Sequence, residues 1–218
     1  LTLPIDVSQK RRERTRKKGE TERRVVSVWL EDLNNDNRTD FAAQLWVTQG
    51  SWMGAEGELV FAKGIDGGFA TPQRMPSDNA VLLVRILDLD GDNDQDLVSA
   101  EIDFGVANLT RAMLSQKIKV NLMVREMKEE GYQTAQPLHD VVVPVGNDRD
   151  PPVELEYDVT GDGINDLITS QGSSSIQVFK GTGKGYEKTP FATAEVGFIQ
   201  GEDKIWMGDL NGVSKAEI

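Results

Sequence analysis

A ten-residue register of acidic and amide side chains recurs three times along the chain and constrains its fold more than any other feature. Residues 32–41 read DLNNDNRTDF, residues 88–97 read DLDGDNDQDL and residues 158–167 read DVTGDGINDL. Each has aspartate at positions 1, 5 and 9, an oxygen-bearing side chain at position 3 and an apolar residue at position 10. A register repeated in this way predicts a repeat architecture.

Carboxylates placed this close repel one another, and a bound calcium ion would relieve that repulsion. Calcium takes about six to eight oxygen ligands, and a short loop can offer side-chain oxygens at positions 1, 3, 5 and 9 and a carbonyl at position 7. The spacing therefore predicts three calcium sites. The predicted ligands are Asp32, Asn34, Asp36, Asp40 and the carbonyl of Arg38; Asp88, Asp90, Asp92, Asp96 and the carbonyl of Asp94; and Asp158, Thr160, Asp162, Asp166 and the carbonyl of Ile164.

Position 6 of such a loop favours glycine, because the chain turns sharply there. Gly163 meets this need in the third loop. Asn37 and Asn93 stand there in the other two, and asparagine is among the residues that best tolerate a left-handed backbone. We expect a positive φ at all three residues.

The segments around the loops predict strands. An EF-hand would supply a bidentate glutamate at position 12, where this chain has Ala43, Ser99 and Thr169. The loops are followed by FAAQLWV, LVSAEI and LITSQ and preceded by VVSVWLEDL, AVLLVRILDL and PVELEYDV. These are short, apolar and bounded by turn residues, which is typical of buried strands. Each loop is therefore expected to join two strands of a hairpin.

A fourth copy of the register, DLNGVSKAEI, occupies residues 209–218. It keeps Asp209, Asn211 and Glu217 but has Val213 at position 5. Because valine offers no oxygen ligand, we expect weak or no calcium binding at this copy.

The chain resembles the FG-GAP/VCBS repeat family over about residues 25–218. The resemblance lies in the order of a strand, a DxDxDGxxDL loop, a second strand and a turn like GTGKGYEKTP. The third repeat fits best, and the first has the equivalent GELVFAKGIDGGFATP. The second departs from the pattern, with an insertion-like stretch at 105–150. Within that stretch Leu109, Met113 and Leu114 fit the start of a short amphipathic turn, and IKVNLMV then alternates like a strand. We favour a long strand that forms a long hairpin with TAQPLHDVVVPV.

The resemblance implies an all-β fold in which four-stranded antiparallel sheets form β-propeller blades. The chain would hold about three blades and part of a fourth, with further blades supplied by missing sequence or by another chain. The resemblance also implies bound calcium and a non-catalytic role in adhesion or interaction with a protein or glycan partner at the cell surface.

Residues 1–24 form a charged N-terminal segment ahead of the repeats at 25–218. The stretch KRRERTRKKGETERR at 10–24 holds nine of the 24 lysines and arginines. It predicts either an arm that docks on an anionic partner or a solvated linker. In either case it lacks apolar periodicity, so we expect folding not to require it.

Composition narrows the function classes. The formal net charge is -12, so phosphate would be repelled and a nucleic-acid partner is not expected. Three calcium ions would offset half of this charge. The sequence has no cysteine and no apolar run long enough for a transmembrane helix. Because the chain begins at Leu1, we interpret it as processed or partial. Calcium loops of this kind suit the calcium levels of a secreted, periplasmic or cell-surface protein.

Two alternatives to the interaction role remain open. One is the propeller of a secreted polysaccharide-cleaving enzyme, although the sequence shows no nucleophile motif, P-loop or zinc signature. His139 beside Asp140 is the one acid–base candidate, and we interpret it as structural or exposed. The other is a lectin-like sugar binder, for which Trp52 is the one loop-borne tryptophan.

Overall fold

The structure is a computed structural model that describes residues 21–48, 56–144, 153–170 and 175–195. Most of these residues lie in strands, and three four-stranded sheets follow one another along the chain. The predicted all-β class is confirmed at this level. The fourth loop copy at 209–218 and Trp52 lie outside the described residues.

The first sheet has the strand order β1-β2-β3-β6, with antiparallel neighbours. Its strands are β1 Glu22–Glu31, β2 Asp40–Thr48, β3 Glu56–Ala62 and β6 Gln73–Ser77. A small hairpin of β4 Gly64–Ile65 and β5 Gly68–Phe69 lies between β3 and β6 in the chain. The first loop joins β1 to β2, as predicted, and β1 includes the last three residues of the charged stretch 10–24.

The second sheet repeats this plan with strands β7, β8, β9 and β12. These are β7 Ala80–Leu87, β8 Asp96–Ile102, β9 Lys117–Arg125 and β12 Gln136–Pro144, and β9 confirms the strand predicted over IKVNLMV. A hairpin of β10 Met127–Lys128 and β11 Gly131–Tyr132 follows β9, as β4 and β5 follow β3. The inserted element is helix α1, Val106–Ser115, between β8 and β9.

The third sheet has the order β13-β14-β15-β16, again with antiparallel neighbours. Its strands are β13 Val153–Tyr157, β14 Asp166–Ser170, β15 Ser175–Phe179 and β16 Ala192–Glu195. A turn closed by the pair Gly181 and Tyr186 follows β15, in the place of the small hairpins of the other repeats. Each of the three sequence repeats therefore supplies one sheet.

The described residues divide between two compact units. The first takes residues up to 86, 93–104 and 124–136, and the second takes 87–92, 105–123 and residues from 137 onward. Leu33, Leu59, Phe61 and Leu97 belong to the core of the first unit, and Ile168, Ile176 and Val178 form a core cluster in the second. No helix in the described ranges is long and apolar enough to span a membrane.

The apolar residue at position 10 ends each loop inside the core. Phe41 and Leu167 are fully buried, and Leu97 is nearly so. Burial of one large apolar side chain stabilises a fold by about 1.5–3 kcal/mol. The position 10 residue therefore anchors the C-terminal end of each loop to its sheet.

Candidate metal-binding loops

The three loops share one backbone shape. Positions 4 and 6 have a positive φ in each of them, at Asn35, Asn37, Gly91, Asn93, Gly161 and Gly163. The left-handed backbone predicted at position 6 is confirmed. Position 4 was missed, although all three loops carry asparagine or glycine there, the residue types that favour this conformation.

The aspartate at position 1 organises the turn by accepting backbone hydrogen bonds. Oδ1 and Oδ2 of Asp32 accept the N–H groups of Asp36 and Asn37 at 3.0 and 2.7 Å. Asp158 accepts three N–H groups of its own loop at 2.6–3.2 Å. Asp88 accepts the N–H of the residue three positions later at 2.7 Å. The turn therefore folds around the first carboxylate.

In the second loop the carboxylates at positions 1, 3 and 5 converge. Asp88, Asp90 and Asp92 each offer a carboxylate oxygen, and these oxygens lie within 4.8 Å of one another. No other set of three histidine, cysteine or acidic side chains in the described residues converges in this way. Hard oxygen donors of this kind suit calcium.

In the first loop, the position 3 side chain has an oxygen that a cation could satisfy. Oδ1 of Asn34 is buried and has no hydrogen-bond partner among the described residues, while Nδ2 donates to Oδ2 of Asp36 at 3.3 Å. A buried oxygen without a partner costs free energy. A calcium ion at this loop would satisfy that oxygen, so the residues present fit the ion.

The aspartates at position 9 are the most buried polar residues of the loops. Asp40 and Asp166 are 0% exposed and Asp96 is 1% exposed. Each accepts at least one backbone N–H group. Burial raises the pKa of Asp40, and the neighbouring Asp36 and Asp32 add to the rise, although two amide hydrogen bonds oppose it.

In the first and third repeats these amides come from two places, the loop itself and the turn after the third strand. In the second repeat Met127 in the hairpin after β9 supplies one. Oδ2 of Asp40 accepts the N–H of Leu33 at 3.0 Å, and Oδ1 accepts the N–H of Gly64 at 2.7 Å. Asp96 accepts the N–H of Met127 at 3.0 Å. Position 9 therefore clamps the loop to the turn that follows β3 or β9.

The third loop has the same clamp. Oδ2 of Asp166 accepts the N–H groups of Val159 and Thr160 at 2.8 and 2.9 Å, and Oδ1 accepts that of Gly181 at 2.9 Å. A carboxylate has about four acceptor sites, so these bonds do not use its full capacity. Calcium ligation by position 9 stays a prediction, and the clamp is a role that the spacing alone did not indicate.

At position 5, two of the loops hold a lysine. Nζ of Lys63 lies 3.2 Å from Oδ2 of Asp36, and Nζ of Lys180 lies 2.7 Å from Oδ2 of Asp162. The hydrogen bond from Lys180 lowers the pKa of Asp162. Desolvation would raise the pKa of Asp36, but hydrogen bonds led by that from Lys63 lower it overall. Sequence reasoning missed both lysines, although each precedes a glycine, in FAKGIDGGF and in VFKGTGKGY.

The position 7 residues Arg38 and Ile164 each donate their backbone N–H to Oδ1 of the position 5 aspartate at 3.0 Å. This bond tightens the loop around position 5. Ligation by the carbonyls of Arg38, Asp94 and Ile164 stays a prediction, as do the ligand roles of Asp158, Thr160 and Asp162. Oγ1 of Thr160 donates to Oδ1 of Asp158 at 3.3 Å.

The histidine candidate lies among aromatic side chains. The ring of His139 is 4.6 Å from that of Phe179 and 6.4 Å from that of Tyr186, measured between centroids. Burial lowers the pKa of His139, and the charge of Asp140 opposes the shift. The Asp140 carboxylate pairs with Lys119 at 2.7 Å. These contacts place His139 in a packing role.

A buried glutamate in the first sheet was also missed. Glu58, with 7% of its side chain exposed, accepts Nε of Arg23 at 3.0 Å and NH1 of Arg74 at 2.7 Å. Burial alone would raise the pKa of Glu58, but the two arginines lower it overall. Arg23 belongs to the charged stretch 10–24, so this residue of the stretch pairs with the first sheet.

Comparison with known proteins assigns no family. No protein-family model matches the chain, and a search of curated proteins gave no significant match. The resemblance to FG-GAP/VCBS repeats therefore stays a hypothesis carried by the motifs and by the repeated sheets.

Proposed function

We propose that this chain is part of a calcium-stabilised β-propeller that acts as a non-catalytic scaffold for protein interaction or adhesion outside the cell. The observation that carries the proposal is the loop skeleton, which recurs three times with the same left-handed positions and the same buried position 9 clamp. A solvated acidic loop would not require this repetition.

Calcium is supported by the donors that the loops hold together. Carboxylates of Asp88, Asp90 and Asp92 converge in the second loop, and the first loop carries a buried oxygen of Asn34 that lacks a partner. Bound calcium would neutralise the carboxylates and fix the turn. Magnesium is a poor substitute because it requires a tighter octahedral shell.

The propeller arrangement is supported by the sheets. Three four-stranded sheets follow one another with the strand order of a meander, and each has a metal-loop candidate between its first two strands. Propellers are built from such repeated four-stranded units. The resemblance to FG-GAP/VCBS repeats leads to the same interpretation.

An interaction role is supported by an exposed apolar row on β1. Val26, Val28 and Leu30 alternate along this outermost strand of the first sheet, and each is at least 44% exposed. Side chains two residues apart lie on one face of a regular strand, which places Val28 and Leu30 side by side, and Val26 precedes them where the register with β2 shifts. Contiguous exposed apolar surface is typical of a contact site.

The test is a thermal melt of metal-stripped protein with calcium, with magnesium and with chelator. Calcium at about ten times its Kd stabilises the native state by about 1.4 kcal/mol per site. Three sites would then contribute about 4 kcal/mol, a large share of a typical domain stability of about 5–15 kcal/mol. We expect a clear rise in Tm with calcium and little with magnesium, and calorimetry should count about three ions. Superimposable melts and no binding heat would overturn the proposal.

A further inference from the structure

A backbone hydrogen bond joins the first loop directly to the second. The N–H of Gln95, at position 8 of the second loop, donates at 2.8 Å to the carbonyl oxygen of Leu33, at position 2 of the first loop. Leu33 is 0% exposed, so the bond is shielded from water, where a hydrogen bond is electrostatically stronger than in solvent. Both residues belong to the first compact unit.

The two peptide groups that form this bond each border a predicted calcium ligand. The nitrogen of Gln95 shares its peptide group with the carbonyl of Asp94, the predicted position 7 ligand of the second loop. The carbonyl of Leu33 shares its peptide group with the nitrogen of Asn34, the predicted position 3 ligand of the first loop. The N–H of Leu33 also donates to Oδ2 of Asp40 at 3.0 Å. A short chain of peptide groups therefore connects the two predicted ligand sets.

A buried tyrosine holds Gln95 in place. The hydroxyl of Tyr132 donates to the carbonyl oxygen of Gln95 at 3.0 Å. The backbone of Tyr132 pairs with the side chain of Gln73, donating its N–H to Oε1 at 3.0 Å and accepting Nε2 at 2.6 Å. Because Gln73 is the first residue of β6, these bonds tie the end of the second loop to the first sheet.

Apolar side chains of the two loops also share one core cluster. Leu33, at position 2 of the first loop, and Leu97, at position 10 of the second, are 0% and 1% exposed and belong to the cluster that contains Tyr132. A densely packed core has little free space to absorb a displacement. A shift of one loop is therefore transmitted to the other.

We propose that the first and second loops bind calcium as a positively coupled pair, in which an ion at either loop raises the affinity of the other through the Leu33–Gln95 hydrogen bond. The inference rests on the proposed function, since it concerns the same loops. An ion ligated by the carbonyl of Asp94 would polarise that peptide group and make its N–H a stronger donor to Leu33. It would also order Gln95, so the first loop would lose less conformational freedom on binding its own ion.

The test is an NMR titration of calcium into the metal-stripped chain, with the backbone amides of Asn37 and Asn93 as separate reporters of the two loops. About 0.15 M salt screens direct repulsion between the ions, which opposes the coupling. In the wild type both amides are expected to shift over the same calcium range, with sigmoidal curves. Asp36→Ala should weaken binding at the second loop roughly fivefold or more, and Asp92→Ala should weaken the first by the same factor, because coupling between binding sites is reciprocal.

A charge control separates the coupling from a general loss of negative charge. Asp66 is exposed and pairs with Arg38 of the first loop at 3.3 Å, but it is not a predicted ligand. Asp66→Ala therefore removes a carboxylate near the first loop without removing its site. The second loop is expected to keep its affinity within about twofold in this variant.

A second pair of variants tests the route through Gln95. Tyr132→Phe removes the hydroxyl that holds Gln95 but keeps the ring, and in this background Asp36→Ala should weaken the second loop by a smaller factor. Tyr186→Phe is the matched control. Tyr186 lies in the equivalent turn of the third repeat, and its buried hydroxyl has no hydrogen-bond partner among the described residues, so the coupling should be unchanged.

The outcomes separate the coupling from the proposed function. If both loops bind calcium and each keeps its affinity when the other site is removed, the coupling is wrong and the calcium loops stand. The same conclusion follows if Asp66→Ala weakens the second loop as much as Asp36→Ala does. Coupling that is undiminished in the Tyr132→Phe background would overturn the route through Gln95. If no loop amide shifts with calcium and the melt does not depend on calcium, the proposed function fails and the inference fails with it.

Discussion

At position 9 of the loops, Asp40 and Asp166 are fully buried and hold backbone amides, whereas at position 5 Asp36 and Asp162 are partly exposed and hold lysine ammonium groups. We call position 9 with its amides the inner end of a loop, and the side chains at positions 1, 3 and 5 the outer end. Aspartate therefore occupies two different environments in the same loop, buried against backbone amides at position 9 and partly exposed beside a lysine at position 5.

The difference separates two contributions to stability. Amide hydrogen bonds to a buried carboxylate are charge-assisted and do not need a bound ion. The outer end gathers like charges that repel one another until a cation offsets them. We therefore expect the inner end to stabilise the fold without calcium and the outer end to make stability depend on calcium.

Replacing the inner-end carboxylate of the third loop is expected to have the largest effect. Asp166→Ala would leave the buried N–H group of Gly181 and the partly buried N–H groups of Val159 and Thr160 without their acceptor. We expect a loss of about 3 kcal/mol in the free energy of unfolding, because an unsatisfied buried amide costs about 1–3 kcal/mol. Urea denaturation in chelator measures this loss.

The matched outer-end variant is Asp162→Ala in the same loop. Its carboxylate is partly exposed and its partner Lys180 is a surface cation. In chelator we expect little change in the free energy of unfolding, because an exposed ion pair contributes little. Should Asp166→Ala prevent folding, Asp166→Asn, which keeps one acceptor oxygen, gives a smaller loss to compare. Equal losses at positions 162 and 166 would contradict the division into two ends.

The second prediction concerns Gly64, whose N–H binds the position 9 aspartate at the inner end of the first loop. A Cβ at Gly64 would collide with the carbonyl oxygen of Thr39, whereas a Cβ at Gly68, in the same hairpin, would meet open space. We expect Gly64→Ala to cost about 2 kcal/mol, as overpacking does, and Gly68→Ala to change stability by about 0.5 kcal/mol or less. The measurement is again urea denaturation. Similar costs for the two variants would show that the close approach does not matter.

The sequence predicts the turn of each loop and the residues that converge in the second loop, but it does not predict the inner end. Positions 1, 3 and 5 are read from local spacing, and the left-handed turn follows from the residue types Asn37, Asn93 and Gly163. The clamp depends on partners far along the chain. Gly64 lies 24 residues after Asp40, and Gly181 lies 15 residues after Asp166. Spacing within a loop carries no information about such partners.

The sequence pattern also did not predict the hairpin that follows the third strand of the second repeat. Its hairpin β10–β11 was hidden because helix α1 lies between β8 and β9 and displaces the pattern along the chain. A glycine followed by an aromatic residue marks the equivalent turn in every repeat, in GGFATP, in EGYQTA and in KGYEKT. Tyr132 is 3% exposed and packs edge-on against Phe61, as expected of a residue that anchors the turn.

The third prediction concerns the outer end of the second loop, where the carboxylates at positions 1, 3 and 5 converge. Asp92→Ala removes one of the three converging carboxylates and should abolish calcium binding at this loop. At calcium about tenfold above Kd, we expect a loss of about 1.4 kcal/mol of calcium-dependent stability. Calorimetry should count one ion fewer. An unchanged count, with the calcium-dependent stability retained, would show that the convergence is not a metal site.

The smallest expected effect concerns Glu58, a buried carboxylate held by arginines instead of amides. Folding lowers its pKa, because ion pairs with Arg74 and Arg23 outweigh the effect of burial. Its ionised form therefore stabilises the fold above the ordinary glutamate pKa, and this contribution is lost as the pH falls through the lowered pKa of the folded state. Glu58→Gln should cost about 1 kcal/mol or less at pH 7, since both arginines are half exposed, and the difference from wild type should shrink on going to about pH 3. Glu56→Gln, the same charge change on the same strand, is the control, and urea denaturation in chelator at both pH values is the measurement. A difference for Glu58→Gln that is equal at the two pH values would mean that the arginines position this carboxylate without favouring its ionised form.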